Sequence, residues 1–177
     1  MAPKILTPRP KVALLIDNSG SMYDIKGSDA NDPEMKRLDM AKQIVEDLSG
    51  SCDFQVSKFT ASHFNLTPEW TSDEATLYAA IDGINENENF NGTYIASAVI
   101  DTTKRFEKES GGEKRYIILL TDGATTESGI FCYNVVDASN YARDKGIPCV
   151  ELGDLGEDDT MKAIGLFEHT GVANHPG

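Results

Sequence analysis

A doubly wound α/β domain is what this sequence predicts: a mainly parallel sheet, helices on both faces and one antiparallel edge strand. Three observations carry that reading. Val12-Ala13-Leu14-Leu15-Ile16 and Tyr116-Ile117-Ile118-Leu119-Leu120 are uninterrupted apolar runs, the pattern of strands buried on both faces of a parallel sheet. The remaining segments alternate between strand-like and helical periodicity, as successive βα units do. At 177 residues and 40% hydrophobic, the chain is long enough for one core flanked by helices and short for two domains.

Residues 1–10 hold three prolines and no apolar stretch. They are expected to form a flexible lead-in that does not resemble a signal peptide, with the domain itself over 11–177. Met35, Leu38, Ala41, Ile44, Val45 and Leu48 make a helical stripe that Gly50 should stop. Residues 53–60 alternate at period two and read as a strand with one polar face; residues 62–66 are expected to pair with it as a short edge strand. A helix is expected over 73–84, capped by Ser72 or Asp73, with Leu77, Ala80, Ile81 and Ile84 inward. After a polar loop over 85–91, Ile95, Ala98 or Val99, Thr102 and Phe106 fall on one helical face. Residues 133–145 read as a helix ended by Gly146. Residues 147–152 read as a strand that Pro148 makes late-starting or peripheral. A last helix is expected over 158–169, with Met161, Ile164 and Leu166 or Phe167 inward.

Polar residues at the strand ends carry the chemistry. Asp17-Asn18-Ser19-Gly20-Ser21 sets one carboxylate and two hydroxyls at alternate positions, with Gly20 permitting a tight turn. Ligands of open α/β sheets bind outside the carboxyl ends of the strands. Compact oxygen donors there suit Mg²⁺ or Ca²⁺ rather than zinc. Taken alone, the same residues would serve equally as a turn and cap for the next helix. The second apolar run ends in Thr121-Asp122-Gly123, and Asn91-Gly92-Thr93 stands directly ahead of a helical pattern.

Asp17-x-Ser19-x-Ser21, Thr93 before a helix and Asp122 after an apolar strand resemble, in order and rough spacing, the metal-ion-dependent adhesion site of the von Willebrand factor type A domain family. The surrounding elements match over about residues 11–171. The resemblance implies a Rossmann-like fold in which Asp17, Ser19, Ser21, Thr93 and Asp122 hold one divalent cation, Mg²⁺ first, with Ca²⁺ or Mn²⁺ as alternatives. Two carboxylates at most leave such an ion electrophilic, and Mg²⁺ readily keeps a position for an outside oxygen. The family's usual sixth ligand is an Asp or Glu of a partner protein. A metal-dependent adhesion or scaffold module, monomeric as an isolated domain, is therefore expected. The alternative is an intracellular adaptor working with an AAA+ ATPase, which uses the same metal chemistry. The compartment stays open: cytoplasmic if Met1 is the native start, extracellular or cell-surface if the domain is an excised piece.

The pattern departs from the family in two places. Only residues 172–177 follow the last expected helix, so the family's final strand and closing helix are expected to be missing, and affinity switching through that helix is not assumed. The loop over 23–33 is long and carries Asp24, Asp29, Asn31 and Asp32 beside the site. It is expected to be a solvated lid, with a specificity role or a second cation as the alternatives.

Charge and cysteines exclude other classes. With 29 acidic and 16 basic residues the net charge is −13, which repels nucleic acid and anionic membranes at long range. It also opposes acidic partners, but screening beyond about 8 Å leaves a local cation in control. No apolar run is long enough to span a bilayer. Cys52, Cys132 and Cys149 form no C-x-x-C pair, and His63, His169 and His175 no His-x-x-x-His pattern, so a zinc site is not expected. Cys52 and Cys149 read as buried small hydrophobes. Phosphoryl-aspartate enzymes would need a second Asp where Ser19 stands, or an acidic cluster and a late Lys; a non-enzyme is expected.

Overall fold

The computed structural model describes residues 9–23, 32, 34–60, 63–84, 94–109, 111–121 and 135–152. In chain order the elements are β1 (Lys11–Asp17), a 3₁₀ turn (Gly20–Met22), α1 (Lys36–Leu48), β2 (Asp53–Phe59), β3 (His63–Asn65), α2 (Glu74–Asp82), α3 (Ile95–Lys108), β4 (Arg115–Leu120), α4 (Val135–Asp144) and β5 (Cys149–Leu152). The sheet order is β3-β2-β1-β4-β5. β1 runs parallel to both β2 and β4, and β4 parallel to β5, while β3 pairs antiparallel with β2 at the edge.

The two apolar runs occupy the centre because side chains on both of their faces need cover. Val12, Leu14 and Ile16 join Leu38 and Ile44 of α1 and Leu77 and Ile81 of α2 in one core layer. Ala13 and Leu15 join Ile95 and Phe106 of α3 and Ala138 and Ala142 of α4 in the other. Helices therefore cover both faces, as expected. Burying one such side chain contributes about 1.5–3 kcal/mol, and residues 12 to 16 are all fully buried. The carboxyl end of β1 is thus mounted on the best-anchored strand of the sheet.

Local signals fix several boundaries. Asp73, rather than Ser72, caps α2 by accepting the Thr76 amide at 3.0 Å. Gly146 takes φ +74 just past α4, a conformation that costs a residue with a Cβ. Both consequences of Pro148 hold together: β5 starts after it and lies outermost among the described strands. Met35, immediately before α1, has φ 56, which costs a non-glycine residue about 1–2 kcal/mol.

Two expectations need correction, and the strand with one polar face is found with that face covered. The polar face of β2 is not open to water, because residues 63–71 run back along the strand. Gln55 and Ser57 are buried, donating to the Thr67 carbonyl at 3.0 Å and to Asn65 Oδ1 at 2.7 Å. Asp32 is no part of a solvated lid: it is buried and ion-paired. Cys52 is a buried small hydrophobe, but Cys149 is only half-buried. The lead-in before residue 9, the loop over 85–91, the helix over 158–169, Cys132 and the remaining carboxylates of the 23–33 loop lie outside the described residues. Among the described residues no helix is long and apolar enough to cross a membrane.

Candidate functional site

The order of strands reverses between β2-β1 and β4-β5, so the crevice beyond the carboxyl ends of β1 and β4 is the place where a doubly wound sheet binds ligands. Asp17 closes β1 at this point, in register with Phe59, while Ile16 lies opposite Leu120. The chain then turns sharply. Ser19 N–H donates back to Asp17 Oδ1 at 2.8 Å, and the following 3₁₀ turn is pinned by the buried Met22. Thr121, the residue after β4, donates its hydroxyl to Asp17 Oδ2 at 2.5 Å across 104 positions of sequence.

Behind this turn stands Arg37, on the first turn of α1 and 0% exposed. Its Nε donates to the Asp17 carbonyl at 2.7 Å. One terminal nitrogen reaches Asp32 Oδ2 at 2.8 Å, and the other reaches the Tyr23 hydroxyl at 2.8 Å and Asn18 Oδ1 at 3.5 Å. Tyr23 also donates to Asn18 Oδ1 at 2.5 Å, and the guanidinium lies 5.0 Å from its ring centre. Asp32 further accepts the Lys36 and Arg37 amides at 2.7 and 3.0 Å. The helix start, where free N–H groups favour an anion, thus holds the carboxylate that balances Arg37.

Of the residues expected to bind a cation, Asp17 and Ser19 come together in this turn, and Ser21 lies in the 3₁₀ turn that follows. Thr93 and Asp122 lie outside the described residues. Their chain neighbours are described: Tyr94 N–H donates to the Thr60 carbonyl at 2.9 Å, just beyond β2, and Thr121 contacts Asp17. The donors at hand fit a hard cation. The Asp17 carboxylate is wholly buried, yet among the described residues it meets two neutral donors and no positive side chain. A buried carboxylate so placed is short of positive charge. Among the described residues no group of three or more His, Cys, Asp or Glu stands together.

Sequence reasoning gave no role to Arg37, Tyr23, Asn18 or Thr121, and it placed Asp32 beside the site but as part of a solvated loop, not as the partner of Arg37. A signal for Arg37 was present: it shares the spacing of Ala41, Ile44 and Leu48, so a charge sits on the apolar stripe of α1. No local pattern marks the others.

The model of the von Willebrand factor type A domain matches residues 12–124. No curated protein matches the chain. Among solved structures it is similar to the conserved hypothetical protein BatB of Bacteroides thetaiotaomicron, at 29% identity and a TM-score of 0.62, covering 81% of this chain and 65% of that one. An aerotolerance-related membrane protein of Bacteroides fragilis gives 26% identity and a TM-score of 0.61, covering 81% and 66%. The manganese-loaded TRAP protein of Plasmodium vivax shares the fold at 15% identity, with a TM-score of 0.64 over 89% and 63%. The chain thus spans about two thirds of the length of these structures. With the family model covering most of the sheet and the Asp17 turn at its centre, the chain belongs to the von Willebrand factor type A domain family.

Proposed function

We propose that the chain is a protein-binding module that engages a carboxylate of a partner protein through a divalent cation. Asp17, Ser19, Ser21, Thr93 and Asp122 would hold the ion, with Mg²⁺ preferred and Mn²⁺ or Ca²⁺ able to substitute. The observation that carries this reading is the buried Asp17 carboxylate, supported by neutral donors and lacking a positive partner among the described residues. Membership of the type A family supports it, as does the order in which the five residues occur along the chain.

A bound cation would supply a Lewis-acidic point to which an outside carboxylate oxygen can add. The chain's own residues do the rest. Ser19 N–H and the Thr121 hydroxyl hold the two Asp17 oxygens in a fixed plane. The hydroxyls of Ser19, Ser21 and Thr93 would add donors without adding charge, so the ion would keep its pull on a partner. Binding rather than catalysis is the activity proposed.

Calorimetry with Mg²⁺ and Mn²⁺ on the wild type and on Asp17→Ala tests the site. One cation bound by the wild type, and none by the variant, is expected; equal binding by both would refute it. For the partner, an Asp-containing peptide should bind the Mn²⁺-loaded domain, lose binding in EDTA, and lose on the order of 2–5 kcal/mol when that Asp becomes Asn.

A further inference from the structure

We infer that Arg37 is the positioning residue of the cation site, fixing the Asp17–Ser19 turn in a single geometry and thereby setting the preference for Mg²⁺ over Ca²⁺. The inference rests on the cation reading above and adds a residue that touches no cation.

The guanidinium divides its work. Its Nε bond to the Asp17 carbonyl at 2.7 Å fixes the main chain at the residue whose side chain faces the site. The terminal nitrogens bind Asp32, Tyr23 and Asn18, so Tyr23 and Asp32, which flank the intervening loop, and the residue after Asp17 are all tied to one rigid fork. Its positive charge is matched by Asp32 at 2.8 Å, in a pair whose side chains are 0% and 1% exposed. Among the described residues, the charge of Arg37 thus goes to Asp32 rather than to the Asp17 carboxylate, while the Asp17 backbone is held. An arginine whose charge went to Asp17 would compete with a cation; this one does not.

Rigidity matters because the two ions differ in what they tolerate. Mg²⁺ demands near-octahedral oxygens at about 2.0–2.1 Å, whereas Ca²⁺ accepts longer bonds and irregular shells. A looser Asp17–Ser19 turn should thus weaken Mg²⁺ more than Ca²⁺. Lysine keeps the charge of Arg37 but lacks the planar fork, and cannot satisfy the Asp17 carbonyl, Asp32 and Tyr23 at once.

The test compares the wild type with Arg37→Lys, with Tyr23→Phe, which removes one hydroxyl from the network, and with Leu48→Ala, which weakens the α1 core away from the site. Two readouts are taken well below each melting temperature. The first is hydrogen exchange at the Ser19 amide in EDTA, which needs no cation. The second is the ratio of Mg²⁺ to Ca²⁺ dissociation constants. Arg37→Lys should speed Ser19 exchange at least tenfold and lower the preference for Mg²⁺ at least fivefold. Tyr23→Phe should do both to a smaller degree, and Leu48→Ala should leave the ratio unchanged. Unaltered exchange and an unaltered ratio in Arg37→Lys would overturn the inference; if that variant does not fold, the same result in Tyr23→Phe would do so. Failure of the wild type to bind either ion would instead overturn the cation reading, a separate outcome, since Ser19 exchange reports on Arg37 without metal.

Discussion

Replacing Arg37 by methionine should expose how much of the stability of this domain depends on one buried ion pair. The substitution keeps length and apolar bulk but leaves the Asp32 carboxylate buried without its cation. Removing one member of such a pair costs about 3–5 kcal/mol. The lower end applies here, because Asp32 keeps the Lys36 and Arg37 amides at 2.7 and 3.0 Å and sits at a helix start. The Asp17 carbonyl loses a donor as well, so about 3 kcal/mol is a fair expectation. For a domain of this size that lowers the melting temperature by about 6–12 °C. Trp70, the single tryptophan, stacks on Phe106 at 5.2 Å between ring centres and reports unfolding by fluorescence. The informative comparison is Arg37→Met combined with Asp32→Asn. Asparagine keeps one carbonyl oxygen to accept one of the two helix amides and carries no charge, so the double variant should be at least about 1 kcal/mol more stable than the sum of the two single losses predicts. Strict additivity, or a loss below about 0.5 kcal/mol for Arg37→Met, would refute the view that this pair is a buried, mutually dependent unit.

Three further outcomes are expected. Burial, and secondarily the positive Arg105, lower the His63 pKa from 6.5 to about 4. The unfolded chain then takes up a proton more readily between those values, so the stability tied to neutral His63 is intact above pH 6.5 and is lost as the pH falls towards 4. The unfolding free energy of the wild type relative to His63→Gln, from urea titration, should fall by roughly 2–3 kcal/mol over that window, allowing for the partial exposure of the ring. Burial likewise pushes the Cys52 thiol up to about 12, and mass spectrometry after iodoacetamide treatment at pH 8 should find Cys52 unmodified in the native protein and modified in urea. Asp73→Ala removes the cap of α2 and should cost about 1 kcal/mol in chemical denaturation, with no effect on cation binding.

Much of the fold was legible because its signals are local. The apolar runs of β1 and β4, the stripe of α1, the Asp73 cap and Gly146 each act through periodicity or backbone preference, and each reappears within a residue or two of its expected limits. The turn that brings Asp17 and Ser19 together at the end of β1 was legible for a different reason: a family motif records residue types at strand ends, whatever holds them there.

What the sequence determined by itself, then, is which segments are strands and helices and which oxygen donors stand at their ends, since pleat and helix periods are written into neighbouring residues. Tertiary structure alone decided what surrounds them. Alternation in β2 marked two faces, but only the return of residues 63–71 made the polar one buried. Nothing near Thr121 foretells that its hydroxyl meets a carboxylate 104 positions earlier, because that contact exists only once β1 and β4 lie side by side. Arg37 reads as one charge out of place on an apolar stripe. It becomes the brace of the Asp17 turn when α1 packs against the sheet and Asp32 supplies the charge that lets a guanidinium be buried there.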